Sequence, residues 1–168
     1  MLKKIALIAV LFALPLGLMA QTKFAHMNSA EIITVMPEFI KAQADLETLA
    51  KQYQDEMQRG QEEFQKKYEE LLQQQDSLPE NILQRRQREV EDMAQRQQQF
   101  QQEASNTMQQ KQQEAMEPIY KKLDEAIQAV GKAEGVIYIF DLARTPLPYV
   151  SSESIDLTAK VKAQLGIQ

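Results

Sequence analysis

Residues 38–76 read EFIKAQADLETLAKQYQDEMQRGQEEFQKKYEELLQQQD, and residues 77–131 read SLPENILQRRQREVEDMAQRQQQFQQEASNTMQQKQQEAMEPIYKKLDEAIQAVG. Gln, Glu, Lys, Arg and Leu dominate both segments, and all five residue types favour the α-helix. The few apolar residues recur every three or four positions, as at Leu46, Leu49 and Tyr53. This spacing is typical of a narrow apolar stripe along a long helix.

A short segment between the two halves interrupts the helical pattern. Ser77 is suited to cap a new helix, Pro79 is tolerated in its first turn, and Glu80 completes a capping box. We therefore predict an antiparallel helical hairpin over residues 38–130, with a turn near residues 76–80. Its two helices would measure about 58 Å and about 80 Å, so we expect an arm that projects from a small body.

The first twenty residues have the order of a secretory signal peptide. Lys3 and Lys4 precede an apolar run that ends at Ala20, and polar Gln21 follows. We therefore expect cleavage near Ala20, export to the periplasm, and a mature chain that is not inserted in the membrane. An uncleaved membrane anchor is the alternative interpretation, but the apolar run is short for a bilayer span.

The charge and the cysteine content exclude several classes of protein. The formal net charge is −5, and removal of Lys3 and Lys4 with the leader changes it to −7. Such an acidic chain is unsuited to general nucleic-acid binding, which needs a basic face. Because the chain has no cysteine, it has neither a disulfide framework nor the lipidated cysteine of a bacterial lipoprotein.

The segment between the leader and the hairpin predicts a short strand and a short helix. Residues 23–27 are interpreted as an edge strand. Asn28 and Glu31 resemble a capping box for the short helix. Pro37 suits the first position of the long helix that follows.

The segment after the hairpin contains the most apolar strand of the mature chain. Gly131 and Gly135 are predicted to end the second long helix. A short strand at residues 149–150 and a final helix capped by Asp156 are predicted to follow later. The apolar pattern of this strand is typical of a strand that is covered on both faces. Its residues are Val136, Ile137, Tyr138, Ile139 and Phe140.

The two flanking segments, residues 21–37 and 131–168, would form one small α/β body. About 60 residues rarely enclose a self-sufficient core, and the apolar strand needs a partner surface. We therefore predict an α+β, mostly α fold whose body assembles as a homo-oligomer through residues 136–140.

The residues needed for catalysis or cofactor binding are almost absent. His26 is the single histidine, and there is no cysteine. The sequence has no GxxxxGKS/T loop or GxGxxG turn for a nucleotide, and its carboxylates lie on polar helix faces, where paired acid–base work is not expected. We expect no catalytic residue, no metal site and no cofactor, and therefore a protein that is not an enzyme.

Aromatic and methionine side chains lie on or near the predicted seam of the hairpin. They either pack between the helices or face outward, where Met adapts well to varied nonpolar partners. Small or polar residues, namely Gly60, Arg86, Gln97 and Lys111, interrupt the same stripe, so we expect a weakly held hairpin that bends. The candidate contacts to a bound partner chain are Met57, Phe64, Tyr68, Met93, Phe100 and Met108.

The order of these parts resembles the Skp/OmpH family of periplasmic chaperones over essentially all of the mature chain. The most specific features are the strand at residues 136–141 and an ending of the type Tyr149-x-Ser151-x(4)-Asp156-Leu157-Thr158-x-x-Val161. The resemblance implies a trimer with a β-barrel body and three helical arms, which enclose unfolded outer-membrane proteins and hold them without ATP. The lipopolysaccharide contact attributed to basic residues in that family is not carried over to this acidic chain.

Two functional classes remain open at this point. The first is a holdase chaperone that prevents unfolded outer-membrane proteins from aggregating before membrane insertion, with the aromatic and methionine residues of the hairpin as client contacts. The second is a structural coiled-coil protein, such as an envelope spacer or adaptor, which should have a regular heptad and a rigid seam. The interrupted seam of this chain favours the chaperone.

Overall fold

A computed structural model of the chain describes residues 23–167. The predicted signal peptide, residues 1–20, lies outside the described residues. The elements follow in the order β1 (Phe24–Met27), α1 (Ser29–Ile33), α2 (Pro37–Gln74), α3 (Glu80–Glu134), β2 (Tyr138–Asp141), β3 (Ile155–Asp156) and α4 (Thr158–Gln164). The predicted α+β, mostly α class is confirmed.

The described residues divide into two compact units. The sheet unit comprises residues 23–30 and 126–166, and the hairpin unit comprises residues 31–125. The predicted domain boundaries at 37/38 and 130/131 remain predictions, because compactness within one chain does not decide where independent folding begins.

The sheet unit contains a three-stranded parallel sheet in the order β2-β1-β3. Ala25 of β1 is in register with Ile139 of β2 on one side and with Ile155 of β3 on the other. The prediction that residues 23–27 form an edge strand is therefore wrong. The reason is that β3 contributes only two residues, which is too short a strand to recognise from a sequence pattern.

The two faces of β1 differ strongly in burial. Ala25 and Met27 are buried on one face, whereas Phe24 is exposed on the other. Two residues at the start of the last helix, Leu157 and Val161, are fully buried. These apolar side chains belong to the small core of the sheet unit, and transfer of such a side chain from water contributes about 1.5–3 kcal/mol.

Side-chain oxygens accept hydrogen bonds from backbone N–H groups at the ends of the strands. Asp141 Oδ1 accepts hydrogen bonds from the backbone N–H groups of Ser29 at 3.0 Å and Ala143 at 3.1 Å. Asn28 Oδ1 accepts one from Ala30 N at 3.1 Å, as expected of a helix cap. Asp156 Oδ1 accepts one from Thr158 N at 2.9 Å, although the N-cap residue of the last helix is Leu157 and not Asp156 as predicted.

Of the two glycines predicted to end the second long helix, only one does so. Gly135 follows the last residue of α3 and has a φ of 64°, a left-handed conformation that favours glycine. Gly131 lies within α3, where an added Cβ would approach Ile139 Cδ1 to 3.1 Å. Its lack of a side chain therefore permits close packing of α3 against β2 within the sheet unit.

The predicted strand at residues 149–150 is also wrong. Neither residue is in a strand, and Tyr149 is 79% exposed. Pro146 and Pro148 precede this pair, and proline cannot donate a ladder hydrogen bond. The third strand forms later, at Ile155–Asp156.

The hairpin unit consists mainly of α2 and the part of α3 that precedes residue 126. Contacts between the two helices show their antiparallel order, because the partner in α3 moves backward as the position in α2 advances. The Tyr53 and Phe100 rings meet at 5.8 Å, and Lys67 Nζ lies 3.7 Å from Glu89 Oε1 nearer the turn. The predicted antiparallel hairpin is thus confirmed.

The turn of the hairpin differs in detail from the prediction. Ser77 Oγ donates to the carbonyl of Gln74 at 3.0 Å, so it closes the end of α2 instead of capping α3. The carbonyl of Pro79 accepts the first hydrogen bonds of α3, from Ile82 N and Leu83 N. Glu80 Oε1 accepts from Gln84 Nε2 at 3.3 Å, which replaces the expected capping box.

Proline occurs at the start of one long helix and inside the other. Pro37 stands at the beginning of α2, as predicted. Pro118 lies inside α3, within the segment that was predicted to be helical. An interior proline removes one helical hydrogen bond and is associated with a kink, but α3 continues to Glu134.

Candidate binding surfaces

The hairpin is largely without a buried core. No residue of α2 is buried, and Ala104 is the one buried residue of α3 before Ile119. In the hairpin unit the fully buried large side chains are Ile32, Met36, Ile119 and Leu123. Apolar side chains farther along the hairpin are therefore partly open to solvent.

A first groove, here called the central groove, lies where a glycine faces the opposite helix. It has a volume of about 430 Å³. Gly60 leaves space opposite Gln97, whose Nε2 lies 3.9 Å from the position that a Cβ on Gly60 would take. The apolar part of its lining is formed by Met57, Met93 and Phe100, and its charged part by Glu56, Glu63, Arg96 and Glu103.

A second groove, here called the glutamine groove, has a volume of about 600 Å³. Its apolar lining comes from Met57, Phe64 and Ala94. Of the residues that the structure describes, no charged one lines this groove. All of the remaining lining residues are glutamines, namely Gln54, Gln58, Gln61, Gln97, Gln98 and Gln101.

A third groove, here called the root groove, has a volume of about 650 Å³ and lies near the start of α2. Its floor is apolar and includes Leu46, Leu49 and Pro118. Its rim carries charges of both signs, among them a Lys122–Glu38 pair that joins the two helices. The hydrogen bond from Lys122 lowers the pKa of the Glu38 carboxyl below its ordinary value.

The rim of the root groove also contains a pair within α3. Lys111 Nζ donates to Glu114 Oε2 at 2.8 Å. This hydrogen bond raises the pKa of Lys111 and lowers that of Glu114. Both groups are exposed, so the pair contributes little to stability.

Five of the six predicted partner contacts gather in the middle of the hairpin. Met57 lines both the central and the glutamine grooves, Met93 and Phe100 line the central groove, and Phe64 lines the glutamine groove. Tyr68 is exposed and stacks on Phe64, with ring centroids 6.1 Å apart. Met108 is half-buried and lines none of these three grooves. Their role in binding remains a prediction.

The candidate contacts predicted from the sequence did not include the glutamines of the groove or the apolar floor of the root groove. The repeated Gln residues between positions 95 and 102 were a visible signal. Their placement beside Phe64 required the register of the two helices, which depends on the turn. A polar cross-helix contact is part of that register, since Gln97 Nε2 donates to Gln61 Oε1 at 3.0 Å.

The outer face of the sheet is a second candidate surface. Phe24 and Tyr138 are in register, and their rings stack with centroids 6.3 Å apart and an interplanar angle of 8°. Tyr138 is 61% exposed and Ile137 is 57% exposed, while Phe140 lies on the same face as Tyr138. The residues predicted for oligomerisation thus include three exposed apolar side chains, whereas Val136 and Ile139 are half-buried.

Within residues 23–167, β2 is not covered on both faces, contrary to the prediction from its apolar pattern. Its outward side chains are exposed, and β1 pairs with only one of its edges. An apolar strand with an open edge and an uncovered face is the arrangement that further chains cover in oligomers. The assembly itself is a prediction from this surface.

Side chains that could take part in catalysis or in metal binding are not grouped together within the described residues. His26 Nδ1 lies 2.9 Å from Ser154 Oγ, a contact that joins β1 to the residue before β3. Within residues 23–167, no three His, Cys, Asp or Glu side chains are grouped so as to hold a metal ion. Over the same residues, no helix combines the length and the apolar character needed to cross a membrane.

Residues 23–165 match the protein family described as Outer membrane protein (OmpH-like). The chain belongs to this family. The match extends from β1 to the end of α4 and so includes both the sheet and the hairpin. The family resemblance inferred from the strand at residues 136–141 and from the ending after Tyr149 is confirmed.

A solved structure from Caulobacter crescentus CB15, described as a candidate outer membrane chaperone (OmpH-like), has the same fold. The two chains are 18% identical and superpose with a TM-score of 0.75, over 87% of this chain and 85% of the other. At this identity the likeness concerns the fold. No curated protein sequence matches the chain.

Proposed function

We propose that this OmpH-like protein is an ATP-independent holdase chaperone of the periplasm. It binds unfolded outer-membrane proteins and prevents their aggregation before membrane insertion. The observation that carries this proposal is the hairpin, where two long helices enclose almost no core and leave their aromatic and methionine side chains in open grooves.

The physical properties of these grooves suit a client of variable sequence. The central groove combines flexible Met57 and Met93 with the aromatic ring of Phe100. Methionine has three rotatable bonds and a polarisable sulfur, so it fits many apolar shapes. Each contact is weak, and several hairpins in one assembly would raise the effective concentration of binding sites around one client.

The proposal includes assembly as a homotrimer through the outer face of the sheet. Support comes from the open edge of β2 and from the exposed Phe24, Ile137 and Tyr138 side chains. Burial of these residues between chains would remove apolar surface from water at about 25 cal/mol per Å². Three hairpins in one particle would then share one client.

Shortening the hairpin tests the holding function. Gly60 and Gln97 face each other across the two helices, so residues 61–96 can be removed and the ends joined by a short glycine-containing turn. The full protein should keep a denatured outer-membrane β-barrel protein from aggregating after dilution, without nucleotide. The shortened protein should lose most of this protection, because it lacks Phe64, Tyr68 and Met93.

A matched control keeps the hairpin length and changes only the turn. Replacement of residues 75–79 by another turn of the same length should leave protection unchanged. Circular dichroism and light scattering check that each variant folds and assembles like the parent. Equal protection by the shortened and full proteins would show that the hairpin is not the holding device, and no protection by either would favour a spacer.

A charge on the sheet face tests the assembly. Tyr138→Asp should convert the trimer into a monomer in light scattering at micromolar concentration, because burial of an unpaired carboxylate is strongly unfavourable. Tyr68→Asp, the same substitution at an exposed tyrosine of the hairpin, should leave the trimer intact. A monomeric parent protein, or a trimer that tolerates Asp at position 138, would contradict this assembly.

A further inference from the structure

The glutamine groove has a lining that is neither apolar nor charged. Six of its nine lining residues are glutamines, and the other three are Met57, Phe64 and Ala94. A primary amide offers two N–H donors and an oxygen that accepts two hydrogen bonds. The groove therefore presents both donors and acceptors along an uncharged surface beside two large apolar side chains.

Several of these amides retain hydrogen-bonding capacity. Gln97 Nε2 donates to Gln61 Oε1 at 3.0 Å, and Gln58 Nε2 donates to Glu62 Oε1 at 2.9 Å. Both bonds leave other donors and acceptors of the same amides unused. Within residues 23–167, the side chains of Gln54, Gln98 and Gln101 make no hydrogen bond.

The neighbouring grooves differ from the glutamine groove in charge. The central groove carries three glutamates and one arginine, and the root groove carries paired lysines and carboxylates. A charged client segment would find partners in those grooves. An uncharged segment would meet complementary groups in the glutamine groove, because its own unpaired groups are backbone N–H and C=O.

We propose that the glutamine groove binds an extended, uncharged segment of an unfolded chain through that segment's backbone peptide groups. The amides of Gln54, Gln98 and Gln101 pair with peptide N–H and C=O groups. Met57 and Phe64 receive an apolar side chain of the same segment. This inference rests on the proposed holding function and identifies which part of a client the groove recognises.

Recognition of the backbone explains how one groove serves many sequences. Every residue except proline offers the same peptide donor and acceptor, so the hydrogen bonds do not depend on client side chains. In an extended segment, successive side chains point to opposite sides. A strand that alternates apolar and uncharged polar residues therefore directs its apolar side toward Met57 and Phe64.

The experiment uses the full protein and a labelled peptide of about ten residues, the length of a transmembrane β-strand. The peptide alternates Leu and Thr and carries no charge. Binding is followed by fluorescence anisotropy. Because charge is not involved, the dissociation constant should stay the same within about twofold between about 0.05 M and about 0.5 M NaCl.

A triple substitution separates hydrogen bonding from apolar contact. Gln54→Met, Gln98→Met and Gln101→Met together remove the amides but keep side-chain length and helix propensity. Loss of three neutral hydrogen bonds should weaken peptide binding about tenfold or more. Simple apolar binding would instead become tighter, since methionine adds apolar surface.

The matched control places the same substitutions outside the groove. Gln52→Met, Gln95→Met and Gln109→Met again change one exposed residue in α2 and two in α3, and they should leave peptide affinity unchanged. A second probe does not depend on any variant. The peptide methylated at alternate backbone nitrogens lacks half of its N–H donors. It should bind the parent protein with an affinity that is lower by about tenfold or more.

The outcomes separate this inference from the proposed function. Weaker binding by the groove variant and by the methylated peptide, with little effect of salt, supports backbone recognition. Unchanged or tighter binding by the groove variant, or a strong salt dependence, overturns it. A parent protein that protects a denatured client but does not bind the peptide also overturns it, and the holding function then stands. If the parent protein shows neither effect, both proposals fail.

Discussion

The sheet unit and the long helices of the hairpin unit bury their apolar side chains to very different degrees. The sheet unit encloses Ala25, Leu157 and Val161 completely. The 38 residues of α2 include none that is buried. The hairpin unit encloses large side chains at Ile32, Met36, Ile119 and Leu123, but the apolar side chains along α2 stay partly in contact with water.

This difference indicates how stability and binding are divided between the two units. Full burial removes an apolar side chain from water and fixes one packing arrangement. Partial burial in a two-helix hairpin leaves surface that is available to another chain and permits rearrangement of the side chains. We therefore expect substitutions in the sheet unit to change stability, and changes to the hairpin to affect client binding.

The largest expected effect comes from removing a fully buried leucine. Leu157→Ala should lower the free energy of unfolding by about 2–5 kcal/mol, because it loses the transfer free energy of the side chain and leaves a cavity. Leu72→Ala, the same substitution at a leucine of the hairpin that is 47% exposed, should cost less than half as much. Urea unfolding followed by circular dichroism measures both values.

Equal losses at these two positions would remove the contrast between the units. The slope of the urea transition serves as a check, since a changed slope indicates an altered unfolded or native state instead of a simple change in stability. Both variants must be compared at one protein concentration, because assembly also contributes to the stability of an oligomer.

The main architecture followed from the sequence because long helices leave a strong periodic signal. The positions of α2 and α3, the proline at the start of α2 and the glycine after α3 are all local features with known preferences. The start of the last helix after Asp156 is likewise local. These features need no knowledge of distant parts of the chain.

The features that the sequence did not predict correctly depend on contacts between distant residues. Two strand residues at Ile155–Asp156 become a strand because β1 lies beside them. Gly131 lies within α3, and Ile139, eight residues later, packs against the place of its missing side chain.

The candidate binding surfaces were predictable only in part. The aromatic and methionine residues were visible from composition and spacing. Their grouping into grooves depends on which residue of α2 faces which residue of α3. The Gln61–Gln97 hydrogen bond and the space beside Gly60 show that alignment in the structure, and neither appears in the periodicity of one helix.

The second prediction concerns the Asp141 carboxylate, which holds two backbone donors of the sheet unit. Asp141→Ala leaves Ser29 N and Ala143 N without this acceptor. We expect a loss of about 1–3 kcal/mol in the free energy of unfolding. Asp141→Asn keeps one oxygen acceptor and should recover part of the loss. If Ala and Asn are equally destabilising, the hydrogen bonds to Oδ1 are not the cause.

The third prediction concerns an aromatic residue of the hairpin. Phe64→Ala should lower the free energy of unfolding by about 1 kcal/mol, the range of a partly exposed aromatic pair, because Phe64 is half-buried and stacks on Tyr68. A Phe→Ala substitution in a closed core costs about 3–5 kcal/mol. Phe64→Leu is the control that keeps an apolar side chain, and a loss in the core range would show that the hairpin has a tighter seam than its exposure indicates.

The smallest expected effect is a difference in acid sensitivity between the two units. The pKa of Asp156 lies below its ordinary value of 3.8, first because its carboxylate accepts the Thr158 backbone N–H, and further because of a hydrogen bond with the Thr158 side chain. A carboxyl with a depressed pKa in the folded state stabilises the fold fully above its unfolded pKa. That contribution is lost as the pH falls below 3.8 and through the folded pKa.

The comparison uses one carboxyl from each unit. Asp156→Asn removes the titrating group, so stability should fall less steeply with acid below pH 3.8 than in the parent protein. Glu114 of the hairpin also has a lowered pKa, caused first by the hydrogen bond from Lys111. Its pair is exposed to water and contributes little, so Glu114→Gln should leave the acid limb unchanged. Urea midpoints at several pH values measure both slopes, and a flatter limb in Glu114→Gln alone would place the acid-sensitive contact in the hairpin.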